Sequence, residues 1–459
     1  VSLFYFLMMK LSIKKIRVKT VSKAETKQSG SQSSSPDLAS EVMWFDDEGC
    51  VTTTSKEQKE CEGKCSDFFI SVQDYTKSTR AEMRRSGLLG PNDEFRLFRE
   101  KHVAYLKKNL GDLSQGFSCL DSSRPWMIYW ICHALHLLND EPTERYADVI
   151  ATLQSMQNVS GGYAGGPQQL SHFAPTYASV LTLCTIGTEE AMLSIDRPAM
   201  YRFMLSMKDS ATNGFRMHQD GEIDTRSIYT CLAVARILNI LTPELCEGVA
   251  DYVLTCQTFE GGFGGEPFNE AHGGYNFCAL AALLILGRGD SCDLQGQKRW
   301  LQRMQTQLEG GFRGRTNKLV DACYSFWQGG AFAVLRLIEL SMSDCADCVS
   351  GVKVDVPELH NVAMNSTALQ KYVIHCAQQP EGGLRDKPGK GRDFYHSCYA
   401  LSGLSIAQHN DGNSGGLYGD SGNLVQRTSA VFNIGTEKLT AALSFFSTYP
   451  NTHEVLLAS

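Results

Sequence analysis

Asp321, Cys323 and His396 offer a carboxylate, a thiolate and an imidazole nitrogen. These donor types hold a catalytic zinc ion through three protein ligands and an open fourth position. Each also has a plainer reading. Asp321 reads as a helix N-cap, Cys323 as a small core residue, and His396 as a core histidine held by a hydrogen bond. An Asp-x-Cys spacing does not bring both side chains to one helical face, so the pair belongs in the turn before a regular helix. Spacing alone leaves the plainer readings ahead. A second set, His272, Arg315 and Lys318 with Lys390 and Arg226, places cations on loops beside Gly-rich turns. Backbone N–H groups in such turns can approach an anion, and Arg and Lys suit phosphates; the alternative is a set of solvated surface charges. A third set, Trp126, Trp130, Tyr229, Tyr275, Tyr324, Trp327, Tyr395 and Tyr399, lies within apolar runs. It reads as core packing, or as a wall for a long apolar ligand whose rings favour a developing carbocation.

The elements that must position these residues repeat along the chain. QSMQNVSGGYAGG, TCQTFEGGFGGEP, MQTQLEGGFRGR and HCAQQPEGGLRDKPGK share one scheme: a helix ending in Gln, a Gly-Gly turn, a loop, then an apolar run. The Gly-Gly positions fall at 161, 261, 310 and 382, with Asn213-Gly214 as a degenerate copy, so most steps are roughly 50 residues. The last step is longer because 341–366 is an insertion carrying Cys345-x-x-Cys348, a weak metal signal without a second pair. Each unit reads as two helices. The second, rich in Ala, Leu and Cys, is apolar all round and therefore buried on all sides. No strand-period alternation is long enough for a sheet. The expectation is an all-α closed α/α toroid over residues 91–445, with a largely disordered extension over 1–90 and a tail over 446–459. The extension rests on the Ser-, Lys-, Glu- and Gln-rich composition of 20–60.

Composition narrows the class. The chain has 459 residues, 42% of them apolar, enough for a large core, and its net charge of −7 argues against general nucleic-acid binding. Residues 2–9 are apolar but far short of the roughly 20 needed to cross a bilayer. Their charges follow the apolar run, the reverse of a signal peptide. The chain is not expected to be a membrane protein. Its 16 cysteines include Cys231, Cys278 and Cys398 inside apolar helices, which reads as reduced thiols and a cytoplasmic location.

Taken together, KLVDACYSFWQ, DKPGKGRDFYHSCY followed by LSGLSIAQH, AHGGYNFC, SRPWMIYW and VFNIGTEKL resemble the β subunits of protein prenyltransferases, of the farnesyl-transferring type. The resemblance covers nearly everything from about 90 to 440. It implies an α6–α6 barrel, one zinc ion, magnesium with the diphosphate, and an obligate helical-repeat α subunit. It implies farnesyl diphosphate as donor and proteins ending in a Cys-aliphatic-aliphatic-X (CaaX) box as acceptors. Asp321, Cys323 and His396 match the family's zinc ligands, and His272, Arg315, Lys318 and Tyr324 its diphosphate-binding residues. Asp386 matches its magnesium-associated aspartate, with Lys390 adjacent to the diphosphate. Arg226, Tyr229, Gly274, Cys278 and Trp327 match donor-binding positions. Trp126, Trp130, Tyr395 and Tyr399 match the peptide and isoprenoid pocket. The implied chemistry is attack of a zinc-held thiolate on C1 of the isoprenoid with diphosphate leaving. Bulky Trp126 and Tyr399 at the pocket floor imply the shorter donor. The alternatives are a type I geranylgeranyl-transferring β subunit and a non-catalytic helical scaffold. A terpene cyclase shares the toroid, but its Asp-x-Asp-Asp motif is not found.

Overall fold

In the computed structural model, residues 47–73, 95–111, 113–349, 364–409 and 416–458 are described. Six inner helices, Arg124–Leu137, Phe173–Ile186, Thr225–Ile237, Gly273–Ile285, Tyr324–Val349 and Phe394–Gln408, each pack on the next. The last returns to the first, so the ring is closed. The inner helices are buried almost all round, Tyr324–Val349 over residues 324–335, as their Ala, Leu and aromatic content dictates. Amphipathic outer helices, among them Arg197–Met207 and Leu294–Met304, cover the ring. The fold is the expected α/α toroid. The strands among the described residues are the two-residue pair Leu384–Arg385 and Arg392–Asp393.

The recurring Gln has a specific task. Gln157 accepts from Asp196 N at 3.0 Å, Gln257 from Asp293 N at 2.9 Å and Gln305 from Asn365 N at 2.8 Å. The same amides donate to the carbonyls of Ser194, Asp293 and Asn365. Each Gln thus clamps the N-cap residue of the following outer helix, stapling one unit to the next. The glycine that follows it answers a backbone need. Gly161, Gly261, Gly310 and Gly382 all have positive φ. A Cβ on Gly161 or Gly261 would collide with the backbone of the next outer helix, at Ala199 and Gly296. In the degenerate unit Asn213 adopts the left-handed conformation instead, φ 60°.

A second set of links joins the units at one rim. The first N–H groups of successive inner helices donate to the next unit's loop: Arg124 to Gly165 O (3.1 Å), Phe173 to Met217 O (2.9 Å), Thr225 to Gly265 O (3.0 Å) and Gly273 to Gly314 O (2.7 Å). Ala322, in the turn before its helix, donates to Asp386 O (2.9 Å). Away from that rim, the hydroxyls of inner-helix residues Tyr129, Tyr177 and Tyr229 donate to the carbonyls of Asn433, Phe432 and Val431, pinning the VFNIG segment against the ring.

Two boundaries differ from expectation. Within the segment expected to be disordered, Thr53–Gln73 is a helix. Its Cys61 and Cys65 are buried, and Cys65 lies within hydrogen-bonding reach of the Cys376 thiol. Its polar composition hid it: beside the two cysteines its buried residues are the polar Ser55, Glu62 and Ser66. Within the expected tail, His453–Ala458 is a helix packed on Arg197–Met207, and Tyr201 Oη lies 2.6 Å from His453 Nδ1. The 341–366 segment begins as a continuation of the Tyr324–Val349 helix; the Cys345 and Cys348 side chains and residues 350–363 lie outside the description.

Candidate active site

The chemistry-bearing residues sit at the beginnings of inner helices, where caps hold them. Asp321, Ala322 and Cys323 form a turn before the Tyr324 helix, closed by Cys323 N donating to Asp321 Oδ1 at 2.8 Å. His396 lies in the first turn of the neighbouring helix, whose N-cap Asp393 accepts from His396 N. The two helices touch so closely that a Cβ on Gly403 would collide with Ser325. Ligand atoms of Asp321, Cys323 and His396 all lie within 4.8 Å of one another, and all three residues are buried.

Their partners suit a cation. Asp393 Oδ2 lies 2.7 Å from His396 Nδ1, a carboxylate–histidine pairing that aims the other ring nitrogen at a metal. That nitrogen, Nε2, is 3.2 Å from Asp321 Oδ1 yet makes no well-directed hydrogen bond despite its burial. Burial opposes charge on His396, but the nearby Asp321 carboxylate and the hydrogen bond with Asp393 carry its pKa well above normal. Burial and the Asp321 charge push the Cys323 thiol up. A cation at this point relieves both effects, because it replaces the imidazole proton and stabilises the thiolate.

A short distance along the rim, His272 caps the Gly273 helix: Gly274 N donates to its Nδ1 at 3.2 Å. The hydrogen of the neutral ring therefore sits on Nε2, 2.9 Å from Tyr324 Oη. Gly314 leaves room for the Tyr324 ring, which a Cβ there would strike. Burial, then Arg315 and Arg226, lower the His272 pKa to about 3. His272 is thus a neutral donor, not the cation its position among Arg and Lys had led us to expect. Arg315 pairs with Glu270 at 2.6 Å.

Other predicted residues are placed differently. Arg226 is buried, held by Asp224 (Nε to Oδ2 3.0 Å) and Glu222 (3.2 Å), over the Tyr275 ring. It is not a solvated surface charge, and its acidic partners could not be read from spacing alone. Lys318 is exposed and lines a groove with Glu62, Arg303 and Asn317. Lys390 is exposed at the tip of the Leu384–Asp393 hairpin. Burial and Asp321 push the Asp386 carboxyl up to about 6, and it pairs with Lys387, a residue the sequence reading passed over. Asp393 was also missed, although an Asp three residues before His396 at a helix start was its signal.

Behind the rim lies a cavity of about 500 Å³, lined by Trp126, Arg226, Tyr229, Cys278 and Trp327 among others. An aromatic chain joins it to the candidate metal centre. Trp126 stacks on Trp130 (5.7 Å between centroids), Trp130 meets Tyr395 edge-on (5.5 Å), and Tyr395 meets His396 (5.1 Å). Trp327 donates to Tyr395 Oη at 3.1 Å and lies 4.5 Å from Tyr399.

A closed helical ring with a carboxylate–thiol–imidazole cluster at its rim defines a class, and the family model described as "Prenyltransferase alpha-alpha toroid domain" matches residues 97–434. The protein farnesyltransferase subunit beta of Arabidopsis thaliana is 40% identical over 398 residues, covering 76% of this chain and 82% of the plant protein. That of Pisum sativum is 41% identical over 375 residues, covering 71% and 89%. The solved structure of Candida albicans protein geranylgeranyltransferase-I complexed with GGPP superposes with a TM-score of 0.61 over 77% of this chain and 100% of that one. At 21% identity it bears on the fold alone. The chain belongs to the protein farnesyltransferase β-subunit family, and so to the protein prenyltransferases.

Proposed function

We propose that this chain is the catalytic subunit that transfers farnesyl from farnesyl diphosphate to the cysteine thiol of a C-terminal CaaX box, in an obligate heterodimer with a helical-repeat α subunit. The observation that carries the reading is the continuity from the Asp321–Cys323–His396 cluster through Tyr395 and Trp130 to the aromatic cavity. It lets a thiol at one end meet an isoprenoid lying along the other. Zinc, held by those three residues, supplies a Lewis acid that lowers the pKa of the acceptor thiol. The sulfur attacks C1 of the isoprenoid as the C1–O bond breaks, and diphosphate leaves with the bonding electron pair. His272 Nε2–H and Tyr324 Oη donate to the diphosphate, where negative charge grows in the transition state. Arg315 joins them by releasing Glu270, and Lys318 swings in from its exposed position. Arg226, Tyr229, Gly274, Cys278 and Trp327 bound the donor. Trp126, Trp130, Tyr395 and Tyr399 complete the pocket, and their rings favour charge developing at C1.

Magnesium with the diphosphate is the second proposed ion. Asp386, now paired with Lys387, is the carboxylate that would hold it, with Lys390 on the same hairpin, and the ion would offset the charge of the diphosphate. Fully exposed Val159, Phe259 and Phe268 on the Gly-rich loops support a partner subunit. Among the described residues no helix is long and apolar enough to cross a membrane. The described cysteines are unpaired, in keeping with a reducing, cytoplasmic setting.

The test is co-expression with an α subunit, zinc quantification, and competition between farnesyl and geranylgeranyl diphosphate for a CaaX peptide, in wild type and Cys323→Ala. Farnesylation with about one zinc per heterodimer, lost in the variant, is expected. Geranylgeranyl transfer would overturn the donor. A folded heterodimer with neither zinc nor product would leave the scaffold reading.

A further inference from the structure

The turn holding Asp321 and Cys323 hangs on one main-chain oxygen. Asp386 O accepts from Ala322 N, between the two ligand positions, at 2.9 Å, and from Tyr372 Oη at 2.8 Å. The Ala322 bond belongs to the series of rim links that joins each unit to the next. Among the described residues, this is the link of that series whose carbonyl also takes a side-chain hydroxyl; at the others the nearest counterpart is the Cys256 thiol, 3.8 Å from Gly265 O. Tyr372 is fully buried, and its ring lies where a Cβ on Gly311 would come within 2.7 Å. It opens a π-helical turn, Tyr372–Ala377, on which the Thr53–Gln73 helix packs. Such turns are rare and frequent at functional sites.

We infer that Tyr372 is a positioning residue for the metal centre. Its hydroxyl fixes the Asp386 carbonyl, which fixes Ala322 N–H and with it the spacing of the Asp321 and Cys323 side chains. Outer hydrogen bonds of this kind orient ligands without touching the ion. The inference rests on reading Asp321, Cys323 and His396 as metal ligands. It adds that the outer Ser366–Ala377 segment and the helix packed on it tune ion affinity from outside the ring.

The experiment compares wild-type heterodimer with Tyr372→Phe, which keeps the ring and removes the donor. Each is stripped of metal, titrated with Zn²⁺ against a chromophoric chelator, and separately loaded with Co²⁺ for visible absorption. The melting temperature of the metal-free protein is recorded as a folding control. The expected result is zinc affinity weaker by about tenfold, the lower end for outer-shell partners, with shifted cobalt bands and a near-unchanged metal-free melt. Equal affinity and superimposable cobalt spectra overturn the positioning role. Wild type that binds neither ion overturns the metal reading, and this inference with it.

Discussion

Asp393 serves two masters at His396: Oδ1 accepts from the backbone N–H at 2.7 Å, and Oδ2 lies 2.7 Å from the ring Nδ1. One carboxylate therefore both starts the helix and aims the imidazole. Asp393→Asn separates the tasks, because Asn caps a helix about as well as Asp but brings no charge to the ring. Zinc affinity is expected to fall by roughly 10–100-fold while the melting temperature barely moves. Chelator competition beside thermal unfolding checks both, and unchanged affinity would sink the role of Asp393 in the site.

The proposed preference for the shorter donor rests on side-chain volume in the aromatic cavity. Trp126 is buried against Trp130 and Tyr177 and lines the cavity; Tyr399 stands against Trp327. Trp126→Thr opens space for a longer chain, whereas Tyr399→Phe removes only a hydroxyl and adds little. The kcat/KM ratio of farnesyl to geranylgeranyl donor is expected to fall by about tenfold or more in Trp126→Thr, the scale of a reshaped apolar pocket. An unmoved ratio would count against Trp126 as the gauge.

Acid sensitivity is built into buried histidines. Burial first holds His102 at about 4 and His133 and His272 at about 3, against an unfolded value of 6.5. Between those limits the unfolded chain binds more protons than the folded one. The contribution of these three histidines is therefore complete above 6.5 and falls as the pH drops, by about 1.4 kcal/mol per pH unit for each fully neutral histidine. Melting temperatures of the heterodimer from pH 7.5 to 4.5 should decline, less steeply in His133→Gln. A flat profile contradicts this.

The tyrosine clasp on residues 431–433 should show coupling. Tyr177 and Tyr229 hydroxyls lie 3.1 Å apart while donating to adjacent carbonyls. Each Tyr→Phe change is expected to cost about 1 kcal/mol. The Tyr177→Phe/Tyr229→Phe pair should differ from the sum of the singles, since the groups touch. Denaturant midpoints of the four proteins decide; strict additivity would mean the contact carries no energy.

Much of this was legible without coordinates, because local rules leave their mark in composition. The Gly-Gly turns announce positive φ, the preceding Gln announces the unit boundary, and the Ala- and Leu-rich runs announce helices buried on every side. The Asp321-x-Cys323 spacing already required a turn before a helix. The Thr53–Gln73 helix escaped because its surface reads like linker and its buried residues are mostly polar, Ser55, Glu62 and Ser66 beside Cys61 and Cys65. The acids around Arg226 and Arg315 escaped because pairing depends on side-chain direction across loops.

By itself, then, the sequence determined the repeat, the helical class and the family, since each rests on short-range backbone preferences and on motifs that survive as strings. Tertiary structure decided which residues meet. His396 reaches Asp321 and Cys323 because adjacent inner helices approach at Gly403. His272 is neutral because burial and two guanidinium groups outweigh its ordinary basicity. Asp386 meets the Asp321–Cys323 turn through its main-chain carbonyl. Distance, burial and the field of neighbouring charges are properties of the closed ring, and no local stretch of sequence contains them.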